Sequence, residues 1–320
     1  MSFQNFYILI SKTKIRPKSF LLVSILFTVI IMMCFFILNK LDLNLNGNDV
    51  IRNYQLSKIN DSDFNDVSTV IIGDSSGGNA IDAKYFSKLT KHKTKNLSLT
   101  GSWGVSGSLG MLKRAYTKNP NIKNVIIIHG LDVWSRNSSK ESILEFFSLS
   151  EIIDEINISS LFSYYFNPKE VLWNSRYFIK KMLNLNASGW EIDLQYDYIQ
   201  QKNKRYSNNG KNINNESSLN SVKLSNDKRK ELNMFQNFCH KNNLNCIFAN
   251  GPIHQTTSNN SILFYNYLRS NIYNAFTITY IDKIFEYDNY KMGDSKDHID
   301  VKYKDSTTYD YFLEINKYLQ

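Results

Sequence analysis

An apolar, β-branched run that stops abruptly in Gly-Asp-Ser-Ser-Gly-Gly constrains this chain more than any other stretch: Val70-Ile71-Ile72-Gly73-Asp74-Ser75-Ser76-Gly77-Gly78. An uninterrupted apolar run of this length is the mark of a strand buried on both faces, as in a parallel sheet, and open α/β sheets build their sites at the strand C-termini. Ser75 therefore stands where a hydroxyl nucleophile belongs. Far downstream, Gly293-Asp294-Ser295-Lys296-Asp297-His298 offers acids beside a histidine. A serine after the first core strand and an acid–histidine cluster near the C-terminus are the parts of a Ser-His-Asp hydrolase or acyltransferase.

The flanking pattern extends this reading. Strands are expected at 67–72, 96–99 and 125–129, with helices at 80–89 and 109–116 between them and a Gly/Ser-rich turn at 100–108. This alternation predicts an α/β domain with a parallel sheet flanked by helices. Residues 141–147 and 161–183 have helix-like aromatic spacing, and 184–220 is polar and Asn-rich, so an insertion of helices and a long surface loop is expected over about 141–223. The α/β pattern then resumes: Ser225 as N-cap of a helix to about 242, a strand at 246–249, a helix at 261–275, a strand at 278–281 and a closing helix at 307–319.

Residues 20–38 carry no charge, and at about 1.5 Å per residue they are long enough to cross a hydrocarbon core. Lys12, Lys14, Arg16 and Lys18 precede the run and only Lys40 follows closely, which orients the N-terminus to the cytoplasm. The expected organisation is a basic tail at 1–19, a transmembrane helix at 20–38, a stalk at 39–65 and an extracytoplasmic domain at 66–320. A cleaved signal peptide is the alternative, but the run exceeds an h-region and no small-x-small site follows it. Five of the basic residues behind the net charge of +9 lie in residues 1–40, and no basic stripe follows, so nucleic acid is not an expected partner. Of three cysteines, Cys34 lies in the apolar run, while Cys239 and Cys246 are either a disulfide or two buried thiols. No Cys/His spacing suits zinc, and no cofactor motif is present.

Two more segments join the first and last ones in order along the chain: Asn96-Leu97-Ser98-Leu99-Thr100-Gly101 and His129-Gly130-Leu131-Asp132. Together, over about residues 67–318, the four resemble the blocks of the SGNH (GDSL-like) hydrolase superfamily, and more narrowly its membrane-anchored branch linked to O-acylation of cell-envelope polysaccharides. The resemblance implies a three-layer, flavodoxin-like sheet. It implies Ser75 as nucleophile, with the backbone N–H groups of Ser75 and Gly101 holding the oxyanion, and His298 as general base. The family's last block is Asp-x-x-His, but Ser295 stands three before His298. Asp294 is the preferred acid, because Gly293 lets the chain fold back; Asp297, adjacent to His298, is the alternative. In the third block the family has an Asn donor where this chain has Asp132, and an ionised carboxylate cannot donate. Either Asp132 has another role, or His129 or Trp134 supplies the donor, or the site is weakened.

What the resemblance implies for function is a membrane-anchored, extracytoplasmic serine acyltransferase or esterase. It would transfer acetyl to an envelope or secreted polysaccharide, with acyl groups supplied by a membrane-bound O-acyltransferase partner. The competing reading is a catalytically impaired SGNH-like module that binds glycan or scaffolds a polysaccharide-assembly complex; a lipase-like esterase is a third. His92 and His240 read as surface residues and His254 as structural. Trp103 and Trp134 could stack on a sugar, though loop aromatics are more often packing.

Overall fold

The computed structural model describes residues 49–136, 190–201 and 224–320, together with most of 19–30 and short pieces at 142, 145–147 and 218–219. The chain divides into two units: residues 1–46 with 158–184, and residues 47–157 with 185–320. In the first unit the described residues within 19–30 are helical, and Leu21, Leu22, Val23, Ile25, Leu26 and Phe27 are all exposed. Among the described residues no helix is long and apolar enough to cross a membrane. Most of the expected span at 20–38 lies outside the described residues, as do 39–48 and the predicted helix at 161–183.

The second unit is built on a parallel sheet. Its helices and strands begin with α1 (Asp49–Asn60), β1 (Thr69–Gly73), α2 (Ser75–Ala80), α3 (Ala83–Thr90), β2 (Thr94–Asn96), α4 (Gly104–Lys118) and β3 (Asn124–His129). They continue with β4 (Trp190–Asp193), β5 (Tyr198–Gln201), α5 (Asn226–Lys241), β6 (Asn245–Asn250) and β7 (Pro252–His254). Last come α6 (Gln255–Asn259), α7 (Ile262–Tyr267), β8 (Thr279–Ile281), β9 (Phe285–Tyr287) and α8 (Lys304–Ile315). The main sheet runs β2-β1-β3-β6-β8, every pair parallel. After β1 the chain steps to one side for β2 and then returns to the other for β3. That reversal opens a crevice beyond the C-termini of β1 and β3, the usual place for a ligand in an open α/β sheet.

Strand pleating sends alternate residues to opposite faces. Ile71, Ile126, Ile128, Ile247, Ala249 and Ile281 form one core with Ala80, Phe86, Tyr311 and Ile315 from α2, α3 and α8. Their neighbours Val70, Ile72, Val125, Ile127 and Phe248 are equally buried on the other face. Both faces are covered, which is why the sequence shows continuous apolar runs instead of alternation. Cys239, near the end of α5, is disulfide-bonded to Cys246 in β6, with 6.2 Å between Cα atoms.

Several expectations are corrected. The stalk does not extend over 39–65: residues 49–60 form α1, with Ile51, Arg52, Gln55 and Ile59 buried. The polar look of this stretch misled because its polar groups are used internally. Gln55 Nε2 donates to Ser98 O at 2.7 Å, and Lys58 Nζ to Asn96 O at 2.8 Å. The segment 184–220 is not all surface loop, since β4 and β5 pair as an antiparallel hairpin with Tyr198 and Ile199 buried. The Gly/Ser stretch at 100–108 is mostly the first turns of α4, its glycines admitting close neighbours. The helix expected at 80–89 is two helices, α2 and α3, and the one at 261–275 breaks after α7 into π and 3-10 turns. The Ser225 cap stands as read: its Oγ accepts from Lys228 N at 3.1 Å.

Candidate active site

The site starts from the end of β1. Gly73 has φ +145, and a Cβ there would meet Ile128 O at 1.7 Å. No other residue fits while the strand stays against β3. Asp74 N donates to that same carbonyl at 3.1 Å, fixing the turn. The Asp74 carboxylate then caps α2, accepting from Ser76 N at 3.1 Å and from the Ser76 hydroxyl. It also accepts from Gly130 N at 3.1 Å, which ties the turn after β1 to the turn after β3. Burial would raise the Asp74 pKa. The hydrogen bond and charge of His129, the Arg136 charge and the Ser76 hydroxyl outweigh it and hold the group well below the usual carboxylate range. This anchoring leaves Ser75 as the first residue of α2, where helix N–H groups lack intrahelical partners.

His298 arrives from the other end of the chain. Residues 293–298 form a tight loop closed by an antiparallel bridge between Met292 and Ile299 and by Gly293 N donating to His298 O at 2.7 Å. The loop folds Asp294 back onto the ring, with His298 Nδ1 2.6 Å from Asp294 Oδ1. On the other side, His298 Nε2 is 2.9 Å from Ser75 Oγ. All three groups are buried, Ser75 keeping 6% exposure. Burial pulls the His298 pKa down, but the hydrogen bond and charge of Asp294, with Asp297 and Asp74 behind it, lift it to about 9. The neutral ring, with its proton on Nδ1 towards Asp294, can take the Ser75 proton at Nε2. Asp297 does not replace Asp294: it accepts from the Ser295 hydroxyl and faces Gly130.

The second block runs beside β1. Leu97 N donates to Ile71 O at 2.7 Å and Leu99 N to Gly73 O at 3.0 Å. Gly101 follows as the start of a 3-10 turn, next to the strand end that carries Ser75. Asn96, which begins the block, is structural: its amide donates to Ile81 O at 3.2 Å, and its carbonyl accepts from Ser98 N at 3.1 Å.

In the third block the structure gives Asp132 another role, the first of the alternatives the sequence leaves open. Neither alternative donor faces the site. His129 is buried, with Nε2 3.0 Å from Ser108 Oγ and Nδ1 3.5 Å from Asp74 Oδ2. Trp134 packs on Phe248 and Phe276, with ring centroids 5.6 and 5.8 Å away. Asp132 instead pairs with Arg136, its two oxygens 2.7 and 2.8 Å from Nη2. Burial pushes the Asp132 carboxyl up and Arg136 opposes it. Asp132 and Asp74 outweigh the burial that would lower Arg136, so the guanidinium is held charged.

Arg136 was missed in the sequence; its only signal is a position four residues after Asp132, the spacing of a helical ion pair. The β4–β5 hairpin was missed as well. The Asn79 side chain bonds both sides of Ile199, donating to its carbonyl at 2.8 Å and accepting from its N–H at 2.8 Å. Lys304 Nζ donates to Tyr196 O and Asp197 O, each at 2.9 Å. The Tyr198 ring stands edge-on to His298, centroids 6.5 Å apart, and burial with the Asp294 charge raises its pKa well above the usual phenol value. Of the remaining sequence candidates, His254 is buried and caps α6 through Nδ1, His240 is exposed beside Thr277, and His92 is half-buried beyond α3. Trp103 is buried and packs against Phe146. Among the described residues no group of His, Cys, Asp and Glu is arranged to hold a metal ion.

The comparisons add no family to this geometry: no protein-family model, no curated protein and no solved structure matches the chain.

Proposed function

We propose that this chain is an SGNH-type serine O-acyltransferase or carbohydrate esterase, acting outside the cytoplasm on a cell-envelope or secreted polysaccharide, with acetyl as the transferred group. One observation carries the reading: Ser75 Oγ, His298 and Asp294 form a continuous hydrogen-bonded line at the crevice between β1 and β3. Hydroxyl, imidazole and carboxylate in that order are what nucleophilic acyl transfer needs. The strand order supports membership of the superfamily, as do three blocks at the ends of β1, β2 and β3 and a fourth in the loop before α8.

In the mechanism, Ser75 Oγ bonds to the acyl carbon while its proton passes to His298 Nε2. The carbonyl π electrons move onto oxygen, and Asp294 stabilises the imidazolium. Collapse expels the donor's alkoxide, which takes the proton from His298 and leaves an acyl-serine. A sugar hydroxyl, or water, then repeats the sequence with His298 as base.

Placement outside the cytoplasm draws support from the disulfide, which suits an oxidising compartment. The charge-free run at 20–38 with basic residues before it supports a membrane anchor. A membrane-bound O-acyltransferase would then deliver the acyl group, since an extracytoplasmic site needs acyl groups passed across the membrane. Asp132 in place of an Asn donor favours the second reading, an impaired glycan-binding or scaffolding module. The intact Ser75–His298–Asp294 line weighs against it.

The test is active-site labelling of the full-length chain with a fluorophosphonate, the adduct located by mass spectrometry. An adduct confined to Ser75 and absent from folded His298→Ala is expected. No adduct on the folded protein would overturn the enzyme reading.

A further inference from the structure

Resting on the acyl-transfer reading, we infer that the Arg136 guanidinium is the third oxyanion donor of this site and that Asp132 is the counter-ion that aims it. The family position for a neutral donor holds a carboxylate here, so a functioning site must find its donor elsewhere. Among the described residues, a candidate lies in the loops around Ser75. Arg136 Nη2 is fixed by Asp132 at 2.7 Å. Nη1 lies 3.7 Å from Asp74 Oδ2, the residue before the nucleophile. A Cβ built on Gly101 would fall 1.8 Å from Nη1, so the guanidinium occupies the space that any larger residue would claim. The positive group therefore lies against the residue whose amide is the expected oxyanion donor. It is not sealed in, as the Arg136 side chain keeps 32% exposure.

The chemistry is suited to the task. A guanidinium offers five N–H donors and no acceptor, so it cannot repel an oxyanion as a bare Asp132 would. Charge-assisted bonds are stronger than neutral ones. When Ser75 Oγ bonds to the acyl carbon and the π pair moves to oxygen, the new anion forms beside a cation already in place. The same arrangement explains Asp132: the change from a neutral donor to an acid supplies the partner that holds Arg136 four residues on.

The test uses the full-length chain and measures the rate of Ser75 acylation by p-nitrophenyl acetate from the burst of p-nitrophenolate. Arg136→Met is expected to acylate about 100- to 1000-fold more slowly with KM within about twofold, the signature of a donor used only in the transition state. Arg136→Lys keeps the charge without the fork and should lie between. Added guanidinium ion should restore part of the rate to Arg136→Ala and none to Ser75→Ala. Wild-type acylation by a folded Arg136→Met overturns the inference, as does a folded Arg136→Ala that guanidinium does not rescue. These outcomes are separable from failure of the enzyme reading. If the wild type takes neither fluorophosphonate nor acetyl on Ser75, both fall. If Ser75 is acylated regardless of residue 136, only the role of Arg136 falls.

Discussion

The turns after β1 and β3 leave adjacent strands at the same edge of the sheet, yet they equip the site by opposite means. The β1 turn works through backbone and one short side chain: Gly73 allows the approach to Ile128, Asp74 caps α2, and Ser75 emerges at a fixed point. The β3 turn puts an acid at the corresponding place and relies on a long side chain, Arg136, brought back by Asp132. A short side chain on a fixed turn is pre-organised by its own backbone. A guanidinium at the end of four rotatable bonds must be held by partners, which makes that half of the site the more easily disturbed.

The comparison is broken most severely at its rigid side. Ser75→Ala should lower acyl transfer by about a millionfold while leaving the thermal midpoint nearly unchanged; retained turnover would move the nucleophile elsewhere. Asp294→Asn should cost about 10⁴-fold in kcat and also move the pH profile. In the wild type, kcat/KM should rise with pH up to His298's pKa of about 9. Without the hydrogen bond and charge of the Asp294 carboxylate, the rising limb shifts to lower pH. Stability runs in the opposite direction to activity. The charged His298–Asp294 pair contributes fully below the ordinary histidine value of 6.5, and its contribution is lost as pH rises through about 9. Urea midpoints across that window should fall in the wild type and stay flatter in the variant.

On the flexible side, Gly101→Ala should displace Arg136 and cost about a hundredfold in acylation. Combined with Arg136→Met it should cost little more, because both changes remove one interaction. Full additivity would show the two residues to act separately. Asn79→Ala has the smallest expected effect. It leaves the buried N–H and C=O of Ile199 without their partner, destabilising the fold by about 2 kcal/mol, with faster proteolysis at the β4–β5 hairpin as the local readout.

What could be read from the sequence follows the same division. The central strands were legible because both faces are buried and the apolar runs are unbroken. Ser75 and His298 were legible because each lies at a strand end or a short loop with a recognisable neighbour. The preference for Asp294 over Asp297 came from local chain geometry, with Gly293 permitting the turn. Arg136 was not legible, since only tertiary structure brings its guanidinium to Gly101. The β4–β5 hairpin was hidden for a related reason. Its rungs to the core include the Asn79 amide and Lys304, side chains 120 and 107 or 108 residues away in sequence. No local periodicity records such a partner. Helix α1 was misjudged because its buried face includes Arg52 and Gln55, which read as solvent-facing until their partners are known.

The hydrogen bond between Ser75 and His298 spans 223 residues. On a ribosome adding about 5–20 residues per second, His298 follows Ser75 by roughly 10 seconds or more. Throughout that interval Ser75 has no partner to activate it. On the acyl-transfer reading the reactive centre is complete only once residue 298 has been made, and a truncated product ending before it carries the serine without the means to use it.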